Sequence, residues 1–168
     1  MKTNLFVMLL VSFIIGTAVY AQEKNQNIYK AVTNFDPARN PVQDVNDAVA
    51  EAERSNRRII LDVGGNWCIW CHRIDNFIEE NKDLSDLLHK NFVVVKINYS
   101  PENKNEKFLS GYPKIPGYPH FFVLGENGKF IHSQDTGKLE KGKGYDKAKF
   151  IAFLEKWTPQ RNKKSLEK

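Results

Sequence analysis

Cysteine is nearly absent from this 168-residue chain. There are two, both inside Trp67-Cys68-Ile69-Trp70-Cys71. So small a number excludes a disulfide-dense scaffold, and a zinc centre would have to be built without a second Cys or His pair. Methionine occurs twice, at Met1 and Met8, so none remains further along to serve as an axial metal ligand. No apolar run reaches the ~20 residues a membrane-spanning helix needs. Internal repeats are absent. Neither sign of charge dominates, with 25 Lys and Arg against 20 Asp and Glu. Much of the small positive excess sits in Lys138 to Lys149 and Arg161 to Lys168, which read as a solvated loop and tail; a nucleic-acid partner is not expected.

The start of the chain has the pattern of an export signal. Met1 and Lys2 give a short positive beginning, Leu5 to Ile15 an apolar core, and Val19-Tyr20-Ala21 small residues just before Gln22. Residues 1–21 are therefore read as a secretory signal peptide, with no cysteine nearby for lipid attachment. The mature protein is expected outside the cytoplasm, periplasmic or secreted, with no stable membrane insertion once the signal is removed. Residues 22–41 read as an N-terminal extension, 42–158 as one folded domain and 159–168 as a basic tail. At 41% hydrophobic and 12% aromatic, the composition is that of an ordinary globular domain with a core.

Periodicity and breakers divide that domain. After Asp36-Pro37 and Asn40-Pro41, Val42, Val45, Ala48, Val49 and Ala52 recur at helical spacing, and the helix should end near Ser55-Asn56. Arg58 to Val63 is nearly continuously apolar, as in a strand buried on both faces. Cys71, Ile74 and Ile78 share one face of the following helix, with Phe77 beside it, and Leu84, Leu87 and Leu88 continue or renew the pattern. Phe92 to Ile97 is a second strand. Ser100-Pro101 reads as a cap and first-turn proline opening a short helix that runs to about Leu109. Gly111 to Pro119 is too rich in Gly and Pro for regular structure. His120 to Leu124 and Lys129 to Ser133 flank Gly125-Glu126-Asn127-Gly128 as a hairpin. A closing helix carries Phe150, Phe153, Leu154 and Trp157, with Asp146 near its start. The order implies an α/β fold, a mixed sheet covered by helices on both faces.

A strand that passes through Gly64-Gly65 into Cys-x-x-Cys at a helix start suits thiol–disulfide exchange. Cys68, at the helix start, meets free N–H groups and the positive end of the helix dipole, which favour a thiolate below the usual pKa of ~8.5. Cys71, one turn on and facing inward, is the candidate resolving thiol. Asp62, a lone acid among Ile60, Leu61 and Val63, should be desolvated with a raised pKa; an acid merely satisfied by backbone donors is the alternative.

From about residue 42 to 157 the chain resembles thioredoxin-like proteins. The resemblance rests on the strand entering Trp67-Cys68-Ile69-Trp70-Cys71, Asp62 six residues before the first cysteine, Tyr118-Pro119 opening the later strand, the Asn127-Gly128 hairpin and the closing helix. It implies the thioredoxin-like fold, a redox disulfide between Cys68 and Cys71, and Asp62 as the acid that relays a proton for the second cysteine. It also implies a cis Tyr118-Pro119 bond whose backbone pairs with an extended substrate. Trp67, Ile69, Trp70, Ile115 and Tyr118 would then rim the site, with Trp67, Trp70, Tyr118 and Pro119 contacting substrate. The chain departs from the family at Ile69-Trp70 between the cysteines and at Gly64-Gly65, where bulkier residues are usual.

Two other readings use the same residues. Cys68-Ile69-Trp70-Cys71-His72 also fits covalent haem attachment, with His89, His120 or His132 as a second ligand. A redox-silent binding module is the other, disfavoured by the presence of both cysteines, Asp62 and Pro119. The expectation carried forward is an exported thiol–disulfide oxidoreductase with a slight bias to reduction, needing no cofactor or metal. Its partners would be cysteine-containing protein substrates and a membrane protein that donates or accepts electrons.

Overall fold

The computed structural model describes residues 29–160. The expected signal peptide, residues 1–21, the polar residues 22 to 27 and the basic end from 161 onward lie outside the described residues.

The first helix, α1 (Pro41–Ser55), is opened by Asn40, whose side-chain oxygen accepts from Val42 N at 3.0 Å, and by Pro41, whose missing N–H costs nothing there. Asn56 closes it in the left-handed conformation, φ 51°. Replacing Asn40 with alanine should cost about 1 kcal/mol, seen as a lower denaturant midpoint at unchanged slope.

Strand β1 (Arg58–Gly64) lies at the heart of the sheet, parallel to β2 (Phe92–Asn98). The crossover between them is made by α2 (Ile69–Glu80) and α3 (Lys82–Asn91), since parallel neighbours cannot be joined by a tight turn. On its other side β1 pairs antiparallel with β3 (His120–Leu124), which pairs in turn with β4 (Phe130–Asp135), giving the order β2-β1-β3-β4. The β3–β4 turn closes through Gly125 N to Lys129 O at 2.8 Å, and Gly128 takes the positive φ of 75° that Asn-Gly turns require.

Alternation along the strands sorts the core into two layers. Ile60, Phe121 and Val123 meet Ile74 of α2, Leu84 and Leu88 of α3, and Phe150 and Leu154 of the last helix, α5 (Lys147–Trp157). Ile59, Leu61, Val63, Phe122 and Leu124 face Ala48 and Ala52 of α1. The mixed sheet is thus covered on both faces, as the order of elements implied. Asp146 caps α5, accepting from Ala148 N and Lys149 N.

Two expectations are corrected. The helix expected from Ser100-Pro101 is only the single turn α4 (Glu106–Leu109). Residues 99 to 105 are instead a loop knitted by asparagines: Asn98 Nδ2 donates to Ser100 Oγ and Asn103 O, and Asn105 Nδ2 to Asn98 O. These short amide side chains offer the backbone partners that a helix would otherwise supply. The Lys-rich stretch 138 to 149 is not simply a loop. A 3-10 turn, Thr136–Leu139, leads into a small hairpin of β5 (Glu140–Lys141) and β6 (Gly144–Tyr145), then directly into α5. Its lysines face solvent while Leu139 and Tyr145 are buried in the core below α2.

The segment ahead of α1 also packs on the domain. Val32 forms a parallel bridge with Val95 on the outer edge of β2, and both Val32 and Phe35 are buried.

Candidate active site

Gly64 ends β1, and a turn closed by Cys68 N donating to Gly65 O at 3.0 Å delivers Cys68 to the start of α2. Cys68 is the cap residue, in extended conformation, and its sulfur accepts from Cys71 N at 3.1 Å. The two cysteines are joined as a disulfide across one helical turn. Cys71 is fully buried and Cys68 nearly so, whereas Trp67 and Ile69 on either side of Cys68 are 53% and 60% exposed. The attackable sulfur therefore lies beneath a rim of exposed apolar side chains.

The glycine pair that departs from the family pattern has a local cause. A Cβ on Gly64 would sit 2.5 Å from Cys71 Sγ, and one on Gly65 2.7 Å from Tyr99 O. The backbone passes too close to the disulfide and to the Tyr99 carbonyl just past β2 for any side chain. His72 is exposed, its ring Nε2 2.9 Å from Asn66 O. Of the other histidines proposed as haem ligands, His120 is buried, bonded through Nε2 to Ser133 Oγ at 2.8 Å, and burial pulls its pKa down to about 4. His132 stacks on Trp157, ring centroids 4.5 Å apart. Burial pulls His89 below its usual value.

An aromatic platform forms the rim. Trp67 Nε1 donates to Tyr99 O at 2.7 Å and meets Tyr118 edge-on at 5.7 Å, while Tyr118 stacks on Tyr99 at 4.6 Å. The Tyr118-Pro119 bond is cis, and Pro119 is buried, its carbonyl accepting from Thr136 Oγ1. Beside this platform a groove of about 370 Å³ runs between Tyr99, Leu109, Tyr112, Ile115 and Tyr118, with Lys104, Glu106 and Lys114 at its margins. Trp70, like Tyr118, packs against the cluster of Phe35, Cys68 and Cys71. It is half-buried, edge-on to Tyr145 at 5.8 Å, with the Arg73 guanidinium 4.5 Å above its ring. Tyr99, whose position in an irregular stretch gave no pattern to read, joins Trp67 and Tyr118 in the platform.

Asp62 is 3% exposed and, contrary to its isolation in the sequence, has a partner. Lys96 lies opposite it in the β1–β2 register and reaches it at 3.1 Å, while also bonding both oxygens of Asp75 on α2 at 2.7 and 2.9 Å. The second oxygen of Asp62, Oδ1, has no partner. Burial raises the Asp62 pKa, the Lys96 charge opposes the rise, and Asp75 adds to it. Burial pulls the Lys96 ammonium down, but Asp62 and Asp75 more than offset this and hold it above its usual value. The arrangement is a buried carboxyl linked through one lysine to a partly exposed carboxylate. Lys96 was legible in principle as the one charge in Phe92 to Ile97; Asp75 had no such signal.

Among the described residues no helix is long and apolar enough to cross a membrane, and no group of three or more His, Cys, Asp or Glu is placed to hold a metal.

Comparison with known proteins places this geometry. The chain is similar to the thiol:disulfide interchange protein DsbD of Pseudomonas sp., 24% identical over 151 residues, which is 83% of this chain and 24% of that protein. It is also similar to spermatogenesis-associated protein 20 of Rattus norvegicus, 35% identical over 52 residues, 31% of this chain and 7% of that one. The chain thus spans about a quarter or less of the curated relatives it matches. Among solved structures, a disulphide isomerase from Xylella fastidiosa superposes with a TM-score of 0.62 at 25% identity, covering 73% of this chain and 94% of that one. The DsbD C-terminal domain of Neisseria meningitidis, in its oxidised form, superposes with a TM-score of 0.53 at 18% identity, covering 70% and 96%, a likeness of fold. A family model described as thioredoxin-like matches residues 40–125, which takes in α1, both parallel strands, the cysteine pair, cis Pro119 and β3. The chain belongs to the thioredoxin-like family.

Proposed function

We propose that the protein is a thiol–disulfide oxidoreductase acting on protein cysteines, working through Cys68 and Cys71. The observation that carries this reading is the disulfide at the start of α2, one sulfur under the exposed Trp67 and Ile69 and the other sealed behind it. The similarity to thiol:disulfide interchange proteins and to a disulphide isomerase supports the same chemistry.

In the reducing direction the dithiol form begins the cycle. The Cys68 thiolate, favoured by the helix N-terminus, attacks one sulfur of a substrate disulfide; a mixed disulfide forms and the first substrate thiolate leaves. Cys71 then loses its proton, to Asp62 in this reading, and attacks Cys68 Sγ. The substrate's second thiolate departs and the Cys68–Cys71 disulfide closes, two electrons having passed to the substrate. Trp67, Trp70, Tyr118 and Pro119 present the substrate segment, with the groove beside Tyr118 taking its flanking residues. The proposed setting is extracytoplasmic, with a membrane protein returning the electrons. The bias to reduction rests on the buried acid, which assists closure of the protein's own disulfide.

Alkylation and trapping test the assignment. In the reduced protein Cys68 should react with iodoacetamide at least about tenfold faster than Cys71 near neutral pH. Cys68→Ser should abolish reduction of a protein disulfide, and Cys71→Ser should accumulate mixed disulfides visible by non-reducing electrophoresis. Trapping through Cys71 instead would reverse the two roles. Equilibration against glutathione then fixes the direction: a potential near that of strong oxidants would remove the reductase bias.

A further inference from the structure

The segment that precedes α1 lies ahead of residue 40, where the family match begins, yet it reaches the redox centre. We propose that Phe35 is a positioning residue of that centre, its ring filling the space Gly64 leaves empty and sealing the Cys71 sulfur from water.

Phe35 is 5% exposed and packs in one cluster with Cys68 and Cys71. A Cβ placed on Gly64 would meet Phe35 Cζ at 3.1 Å as well as Cys71 Sγ at 2.5 Å, so ring, glycine and sulfur are in mutual contact. The strand end is bare, and the bulk that walls off the sulfur comes from a residue 29 positions earlier. On the ring's other contact the Lys96 ammonium lies 4.3 Å from its centroid, a cation–π distance. One aromatic side chain therefore touches both the resolving sulfur and the lysine that serves Asp62.

The strap that carries it is fastened at several points. Val32 bridges to Val95, Asn66 Nδ2 donates to Phe35 O at 3.1 Å, and Asn103 Nδ2 donates to Pro37 O at 2.8 Å. Asn66 belongs to the turn just before Trp67, so the strap is tied to the loop that presents Cys68. These are few bonds for a segment covering a site, and regions held in this way open at lower free energy than the core. Strap opening is the event that would expose Cys71.

This assignment rests on the proposed role of Cys71 as the buried resolving thiol, but the shielding is measurable without turnover. In a Cys68→Ser background the remaining thiol is Cys71, and its native-state alkylation by iodoacetamide can be followed by mass. Phe35→Ala in that background should raise the rate on the order of tenfold. Phe35→Leu, which refills most of the space, should stay close to the parent. Leu139→Ala, in the separate core cluster near α5, controls for global destabilisation. Should Phe35→Ala fail to fold, the series Phe35→Leu and Phe35→Val carries the test, the rate rising as the side chain shrinks. Equal alkylation in Phe35 and Leu139 variants of matched stability overturns the proposal and leaves the redox reading intact. With both cysteines present, Phe35→Ala should also move the pH midpoint of mixed-disulfide resolution downward, because water admitted beside Cys71 favours its thiolate. The charged group against the ring is Lys96 of β2, and through it Asp62 of β1 and Asp75 of α2. A midpoint that stays in place while stability falls assigns Phe35 a packing role alone. Failure of the intact protein to exchange disulfides with any protein substrate would sink the proposed function, and the alkylation result would stand apart from it.

Discussion

Asp62→Asn should slow closure of the Cys68–Cys71 disulfide from a mixed disulfide by roughly 10²-fold near neutral pH, the scale of a lost general base, while the first attack by Cys68 stays fast. The carboxyl is buried on the sheet face that α2 covers, one of its oxygens has no hydrogen-bond partner, and burial raises its pKa. Such a group holds or accepts a proton in the range where a thiol must lose one. The substitution also has a stability signature. A carboxyl whose pKa is higher folded than unfolded favours the folded state when protonated, and that contribution is lost as pH rises from the unfolded value through the folded one. Near neutral pH Asp62 therefore opposes folding, and Asp62→Asn should be more stable than the parent there, the difference shrinking in acid. Lys96 is not stranded by the change, because it keeps both bonds to Asp75. Single-turnover kinetics and denaturant unfolding over the same pH range test both halves. Unchanged resolution with lowered stability would take Asp62 out of the mechanism.

Lys96→Met acts on the same group from the other side and should be the more damaging to the fold. It removes the cation 3.1 Å from Asp62 and leaves a carboxyl 3% exposed with no counter-charge. Removing one partner of a buried ion pair costs about 3–5 kcal/mol. The loss should be largest at alkaline pH and should shrink as pH falls and Asp62 takes up a proton, since the neutral acid no longer needs the lysine. Adding Asp62→Asn to Lys96→Met should recover most of the stability, a non-additivity that two independent sites would not show. Equal losses at alkaline and mildly acid pH would mean that Lys96 acts through packing of its stem rather than through its charge on Asp62.

Much of this architecture was open to reading because burial on both faces leaves strands no polar alternation. Arg58 to Val63 and Phe92 to Ile97 declare themselves as apolar runs, and the one acid and one lysine within them turn out to be paired across the β1–β2 ladder. The cysteine pair, the helix it opens and the cis proline site were equally accessible, since each depends on residues close together in the chain. What escaped depends on long-range or side-chain competition. Ser100-Pro101 has the letters of a helix start, but Asn98, Asn103 and Asn105 divert the backbone into a knitted loop. The β5–β6 hairpin hides in a stretch whose lysines outnumber the two side chains, Leu139 and Tyr145, that anchor it. Phe35 shares a largely polar segment with one other aromatic, Tyr29, and the space above Gly64 explains where its ring goes.

The placement of Val32 beside β2 bears on how copies of the protein meet in a crowded compartment. A sheet of four strands has two open edges, each able to zip onto another sheet. At the β2 edge the chain occupies part of that template itself, with Lys96 N already donating to Val32 O at 3.2 Å. At the β4 edge the pairing register slips between Val123 and Leu124, and the strand runs out through His132, Gln134 and Asp135. The exposed apolar part of the β4 edge is confined to Phe130 and Ile131 at the strand's start, and the polar remainder makes it a short template for backbone-to-backbone stacking. The protein can therefore bare Trp67 and Ile69 at the redox centre while its sheet edges give a neighbouring strand little to pair with.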